Sequence, residues 1–142
     1  MSLRSVIASI LLMFLMVVPS ARAGNMVNSP AAGSVEESIK ESLKLIRDGK
    51  LDAWVKGWCD PQRCQTLSQI EDLKRYGLKR ATTGAGKCLH GKEEGVDVVR
   101  WRGDPATDNM VTVYIQCEEG RMPVPSTHTK VDGKWKVSSF SW

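Results

Sequence analysis

Cysteine is the residue type that offers the most chemistry in this 142-residue chain, and two of its four cysteines lie in the segment WCDPQRC, residues 58–64. The spacing C-x4-C differs from the C-x-x-C of thioredoxin-like redox sites. A zinc site needs four well-placed ligands, and only this pair is close in sequence. In an oxidising compartment, an even number of cysteines favours disulfide bonds. Three connectivities are possible for four cysteines. The turn signal Asp60-Pro61 favours the pair Cys59–Cys64, which would leave Cys88–Cys117, a pair that can meet only if the sheet order brings their strands together.

The compartment is predicted by the N-terminal segment MSLRSVIASILLMFLMVVPSARAG. Arg4 gives a positive start, residues 6–18 are uncharged and mostly apolar, and Ala21-Arg22-Ala23 fits a small-x-small cleavage site. A membrane span would need ~20 apolar residues. We therefore expect a signal peptide of residues 1–23, no membrane span, and a periplasmic or secreted chain that begins at Gly24.

Composition argues against several classes of partner. Removal of Arg4 and Arg22 would leave 18 basic and 16 acidic residues, a net charge of +2, which predicts no nucleic-acid partner. The stretch KRATTGAGKC departs from a phosphate-binding loop, because Ala81 replaces the first glycine and Cys88 replaces the Ser/Thr. We expect no cofactor.

The chain has two histidines, His90 and His128, and neither stands at metal-ligand spacing from the other. No metal site is therefore predicted. His128 alternates with Ser126 and Lys130, which predicts that it shares an exposed strand face with them.

Five cations crowd residues 74–87 and form what we call the basic patch: Lys74, Arg75, Lys79, Arg80 and Lys87. Such a patch could meet an anionic partner or a membrane surface. Cations near the C-terminal end of a solvated helix would give the same pattern.

The first half of the mature chain predicts helices. Ser34 and Glu37 form a capping box, and apolar residues then recur at helical spacing until Gly49. The segment LDAWVKGW, residues 51–58, predicts a second, short amphipathic helix. Residues 24–33 precede the first helix and are predicted to be a flexible tail.

A third helix is predicted for TLSQIEDLKRYG, residues 66–77. The capping pair Ser68 and Glu71 would begin it, and Gly77 would end it. WCDPQRC would then form the corner between the second and third helices.

The second half changes to the alternating period of half-buried strands. The predicted strands are VDVVRWRG (96–103), NMVTVYIQC (109–117), THTKV (127–131) and KWKVSSFSW (134–142). Asp132-Gly133 is a two-residue hairpin signal. A β-bulge near Ser138-Ser139 would bring four large side chains of the last strand onto one face: Trp135, Val137, Phe140 and Trp142.

Three helices followed by an antiparallel meander predict an α+β class, with the helices packed on one face of a curved sheet in a single domain of residues 34–142. The order SVEESIKESLKLIRDGKLDAWVKGW, then strands, then a closing VDGKWKVSSFSW resembles the nuclear transport factor 2-like superfamily. These cone-shaped folds include ketosteroid isomerases and polyketide cyclases. A cystatin-like or other small helix-on-sheet fold is the alternative.

The resemblance implies a pocket between helices and sheet in which superfamily enzymes place a carboxylate. In the strand of residues 110–117 one face is uniformly apolar and should point inward: Val111, Val113, Ile115 and Cys117. If the turn GDPATDN sets Trp101 opposite Val111, Asp97 points the same way and could act as a general base. A slip of one residue would turn Asp97 outward.

The five tryptophans could fill a core or line an apolar ligand pocket. The candidate pocket residues are Trp54, Trp58, Val99, Trp101, Val113, Ile115 and Trp135. The resemblance also implies a possible homodimer through the outer sheet face, which carries Met110, Thr112, Tyr114 and Gln116.

Three functional hypotheses follow. The first is a non-catalytic, exported, disulfide-stapled domain that binds a small apolar ligand or a protein partner. The second is an enzyme of isomerase or dehydratase type with Asp97 as its base. The third is an inhibitor or protective partner of another exported protein, which would use the basic patch.

Overall fold

The computed structural model describes residues 24–142, so the predicted signal peptide, residues 1–23, lies outside the described residues. Helical elements and a five-stranded antiparallel sheet confirm the predicted α+β class. The elements are β1 (Asn25–Val27), α1 (Val35–Arg47), α2 (Leu51–Gly57), α3 (Leu67–Asp72), a π-helical segment (Leu73–Leu78), α4 (Lys79–Ala85), a 3-10 turn (Gly86–Cys88), β2 (Val96–Arg102), β3 (Met110–Gln116), β4 (Val124–Val131) and β5 (Lys134–Phe140). Among residues 24–142, no helix is long and apolar enough to cross a membrane.

Helix α1 forms as its sequence predicts. The Ser34 hydroxyl accepts a hydrogen bond from the Glu37 N–H at 3.2 Å, which caps the N-terminus. Gly49 takes a φ of 71°, in the left-handed region that favours glycine, and the helix ends there. The buried stripe of α1 packs against the sheet and consists of Val35, Ser38, Ile39, Ser42, Leu43 and Ile46.

The third helical region is longer than predicted and begins differently. Its capping box pairs Thr66 with Gln69 rather than Ser68 with Glu71. Gly77 does not end the helix, because it lies in the π-helical segment and helix continues to Ala85. Buried Leu78, Ala81 and Ala85 place this continuation against the core, which compensates for the low helix propensity of Gly77.

The sheet is a meander with the strand order β1-β2-β3-β4-β5. Strand β1 was not predicted, because residues 24–33 carry no alternating pattern, yet Met26 pairs with Asp97. The register of β2 on β3 also differs from expectation, since Trp101 lies opposite Val113 rather than Val111. A register shift between Val98 and Arg100 makes Val99 an extra, bulged residue.

The hairpin between β4 and β5 forms as predicted, with φ values of 50° at Asp132 and 76° at Gly133. The predicted β-bulge is also confirmed. His128 lies opposite Val137 and Thr127 lies opposite Ser139, so Ser138 is the extra residue. The bulge lets the Phe140 side chain point inward. Its ring stacks on that of Trp142, with 4.3 Å between the ring centroids, and meets the Trp54 ring edge-on at a centroid distance of 5.9 Å.

Both predicted disulfides are present, Cys59–Cys64 and Cys88–Cys117. The loop closed by Cys59–Cys64 covers the free edge of β5. Val137 donates its N–H to the Trp58 carbonyl at 2.7 Å, and Asp60 donates its N–H back to the Val137 carbonyl at 2.9 Å. This loop therefore satisfies backbone groups that an edge strand would otherwise leave open.

Candidate ligand-binding cleft

A cleft of about 360 Å³ lies where the start of α1, the end of α2 and the start of β5 converge. Its apolar walls are the indole of Trp58, which is half-buried, and that of Trp135, which is buried. Its polar groups come from Glu37, Lys134 and Lys136. Aromatic walls with a few convergent polar groups are typical of sites for small ligands.

The local sequence explains how these groups meet. The hairpin at Asp132-Gly133 starts β5 at Lys134, and strand alternation then points Trp135 towards the core and its two lysine neighbours to the other side. Because β5 is the edge strand of the sheet, residues from both of its sides line the cleft at that edge. The Lys136 ammonium donates a hydrogen bond to the carbonyl of Gly57, the last residue of α2. This bond ties β5 to α2 beside Trp58.

The cleft carries two cations, Lys134 and Lys136, that form no ion pair within residues 24–142. Partial burial, and to a smaller extent the neighbouring charge of Lys134, lower the pKa of the Lys136 ammonium. Both effects oppose the charged form, and an anion bound beside the two lysines would offset them.

The carboxylate of Glu37 also borders the cleft, but it is held by the cap of α1. Its Oε1 accepts the N–H of Gly33 at 3.3 Å, while its own N–H is donated to Ser34. One oxygen of Glu37 is therefore held by the helix terminus, and the lining of the cleft as a whole, with two ammonium groups and one carboxylate, carries a net positive charge.

The seven residues predicted to form a pocket do not line one cavity together. Trp58 and Trp135 line the cleft, whereas Trp54, Val113 and Ile115 are buried in the core. Trp101 is half-buried and packs against that core. The bulged Val99 lines a different, smaller groove beside Arg100 and Tyr114.

Asp97 lies on the outer face of the sheet, because it pairs with the outward-facing Gln116 in β3. The bulged residue Val99 reverses the alternation, so Asp97 and Trp101 point to opposite faces. Its side chain is nevertheless 5% exposed. It lies on β2, three strands from β5, which is ~14 Å at the usual strand spacing, and it does not line the cleft. The inward orientation expected from the sequence is therefore not observed.

The outer face of β3 carries the residues expected there. Val111, Val113 and Ile115 are buried, while Thr112, Tyr114 and Gln116 are half-buried on the other side. Arg100 lies over the Tyr114 ring, 4.0 Å from its centroid. Met110, at the start of β3, is exposed.

The basic patch divides into paired and unpaired cations. Lys74 forms an ion pair with Asp52, and Lys87 lies 3.1 Å from Glu118. Arg75, Lys79 and Arg80 are exposed on the third helical region, and no carboxylate of residues 24–142 lies within ion-pair distance of them.

The prediction that His128 is exposed was wrong. His128 and Ser126 are fully buried between sheet and α1, and the ring nitrogens Nδ1 and Nε2 lie 3.1 Å from Ser38 Oγ and 2.8 Å from Ser126 Oγ. Burial lowers the pKa of His128 to about 3, so the ring is neutral. The sequence signal that could have located it is the pair of serines on the apolar stripe of α1, at 38 and 42, which need polar partners when buried.

Comparison of the chain with family models, with curated proteins and with solved structures found no match. The functional conclusion therefore depends on the geometry of the chain itself.

Proposed function

We propose that this chain is an exported binding domain whose cleft holds a small, largely apolar ligand with an anionic group such as a carboxylate. The observation that carries the proposal is the pair Lys134 and Lys136, two ammonium groups without a carboxylate partner in residues 24–142, in a cleft that Trp58 and Trp135 also line. The tryptophans would contact the apolar body, and the lysines would bind the anion.

Export is supported by the N-terminal sequence and by the two disulfides, because disulfides persist in oxidising compartments. The size of the cleft suits a ligand at the lower end of the usual range for small-molecule sites, about 300–1,000 Å³. The proposal assigns no catalytic role to Asp97, which lies three strands from the cleft.

The test is calorimetric titration of the purified domain with octanoate, a carboxylate with an apolar chain. The double variant Lys134→Gln/Lys136→Gln should bind octanoate at least tenfold more weakly, a loss of about 1.4 kcal/mol. The matched control is Lys79→Gln/Arg80→Gln, which removes the same charge from the basic patch and should bind as the wild type does. Equal affinity for octylamine, or equal loss in both double variants, would contradict the proposal.

A second candidate function is docking of an acidic protein through the basic patch. The observation in its favour is that Tyr76, which follows exposed Arg75 in the chain, and Leu67, in the same helical region, are exposed, with 67% and 82% of their surface accessible. Aromatic residues and arginine are enriched at protein interfaces. Charge reversal at Arg75 and Arg80 should abolish a complex formed in this way, whereas the cleft variant Lys134→Gln/Lys136→Gln should retain it.

A further inference from the structure

Asp97 is a buried residue for which residues 24–142 supply no ion pair. The residue is 5% exposed. A buried carboxylate is costly unless it is paired or hydrogen-bonded. Asp97 is not part of the cleft, so its burial calls for a separate explanation.

Gly24, the residue just before β1, lies next to the carboxylate of Asp97. A Cβ atom built on Gly24 would lie 2.3 Å from Oδ1 of Asp97 and 3.1 Å from its Cγ. Because bonds to Cα are about 1.5 Å long, the Gly24 backbone nitrogen lies within ~5 Å of that oxygen. The contact arises because β1 pairs antiparallel with β2, with Asn25 opposite Val98.

The charge of that nitrogen depends on processing. In the full-length chain it is the neutral amide of the 23–24 peptide bond. Hydrolysis of this bond adds one water, leaves a carboxylate on Ala23 and gives Gly24 a protonated amino group. An opposite charge within ~4–6 Å is close enough to stabilise a carboxylate.

We propose that Asp97 is the binding site for the α-ammonium group of Gly24, created when the signal peptide is cleaved after Ala23, and that this ion pair fastens β1 to the sheet. The inference uses the export part of the proposed function but not the ligand. Strand β1 has only three residues. An ion pair at its N-terminal end would therefore be a large part of the interactions that hold β1 on the sheet.

The geometry also explains why glycine suits this position. Real Cβ atoms essentially never approach another heavy atom to 2.3 Å, so any side chain at residue 24 would displace Asp97 or the strand. Cleavage one residue earlier would leave the charge on Ala23 and the amide of Gly24 beside the carboxylate. The proposed ion pair therefore requires both glycine at position 24 and cleavage of the bond between residues 23 and 24.

The first experiment is intact-mass analysis of the protein exported with its own N-terminal segment. The expected chain begins at Gly24. A chain that begins elsewhere would overturn this inference, whereas octanoate binding can be measured on it regardless, so the two proposals fail separately.

The second experiment is a double-mutant cycle on protein beginning at Gly24, in which the amino group is free or acetylated and the chain is wild type or carries Asp97→Asn. Acetylation should lower the Tm of the wild type by about 3–6 °C and leave that of the Asp97→Asn variant unchanged. Glu119→Gln, which removes an exposed carboxylate, is the matched control and should leave the effect of acetylation intact. Equal shifts in the wild type and in Asp97→Asn would overturn the inference.

If Asp97→Asn does not fold, hydrogen exchange decides the question without changing Asp97. The β1 amides that are hydrogen-bonded to β2 should exchange at least tenfold faster when the amino group is acetylated, or when the chain begins at Ala23 instead of Gly24. Unchanged exchange in both proteins would overturn the inference.

Discussion

The hydroxyl oxygen of Ser38 lies 3.1 Å from Nδ1 of His128, which ties helix α1 to strand β4 through a fully buried contact. Nε2 of the same ring lies 2.8 Å from the Ser126 hydroxyl. A neutral imidazole has one donor and one acceptor nitrogen, so the two serines satisfy both. This group of three side chains is a hydrogen-bonded polar centre in a mostly apolar interface.

The two buried serines of α1 make a matched pair. Ser38 is hydrogen-bonded, whereas the hydroxyl of Ser42, one turn further along, has no partner in the described part of the chain. Ser38→Ala should lower the free energy of unfolding by about 1–3 kcal/mol, because it leaves a buried ring nitrogen unpaired.

Ser42→Ala should leave stability unchanged or raise it by up to about 1 kcal/mol, because it removes an unpaired polar group and improves helix propensity. Urea denaturation of both variants gives the comparison. A greater loss for Ser42→Ala than for Ser38→Ala would contradict the hydrogen-bond assignment.

His128 should make stability depend on acidity. Burial lowers its pKa in the folded protein from 6.5 to about 3, so the unfolded chain takes up the proton first as the pH falls. The stabilisation is complete above pH 6.5 and is lost towards pH 3, at up to about 1.4 kcal/mol per pH unit.

The control for this dependence is His128→Gln, which can bond both serines but does not titrate. The unfolding free energy of the wild type minus that of the variant should decline from pH 6.5 to pH 4, because only the wild type has the titrating His128. Carboxylate titrations are common to both proteins and cancel in this difference. Parallel pH profiles would show that His128 takes up its proton equally in both states.

The two disulfides should differ in how much each contributes to the free energy of unfolding. Cys59–Cys64 spans 5 residues of sequence and Cys88–Cys117 spans 29. The chain-entropy model gives losses of about 2 kcal/mol for the shorter loop and about 3.5 kcal/mol for the longer one. Thermal unfolding of the two double Cys→Ala variants shows which disulfide contributes more. A larger loss of stability without Cys59–Cys64 would contradict the loop-entropy order and indicate that the loop's cover of the β5 edge matters more.

The cleft variant tests whether the site is separable from the fold. Lys136→Gln keeps an amide donor for the Gly57 carbonyl and removes a partly buried charge, so its free energy of unfolding should stay within about 0.5 kcal/mol of the wild type. Urea denaturation measures this. A loss above about 2 kcal/mol would assign Lys136 to the fold rather than to a ligand.

Local sequence signals predicted two of the helices and one hairpin. Caps, apolar periodicity and the Asp132-Gly133 turn placed α1, α2 and the β4–β5 hairpin. The cysteine pairing followed from the turn at Asp60-Pro61 and the even count. Even the bulge at Ser138 was predictable, because four large apolar residues had to reach one face.

The remaining features depend on tertiary contacts. Gly77 signals a helix end, but burial of Leu78 and Ala81 carries the helix past it. Strand β1 has three residues and no alternation, so only the edge of β2 defines it. His128 alternates with polar residues, which predicts exposure unless the serine on the facing helix is considered.

The candidate site was only half predictable. Trp58 and Trp135 were expected near a pocket, but the lysines at 134 and 136 were not, because no local signal shows that the start of β5 meets the end of α2. The cleft is formed by three segments far apart in sequence. Asp97 was oriented wrongly because the bulge at Val99 has no local signature.

The measurement that tests the central claim most directly is a titration with octanoate followed by the tryptophan indole N–H signals in a ¹H–¹⁵N spectrum. The chain has five tryptophans, and single Trp→Phe variants assign their signals. We predict that the signals of Trp58 and Trp135 shift together with one Kd below about 1 mM, while those of buried Trp54 and Trp142 move little. Absence of a shift at Trp58 and Trp135 under saturating octanoate, or shifts confined to the other tryptophans, would contradict a ligand site in this cleft.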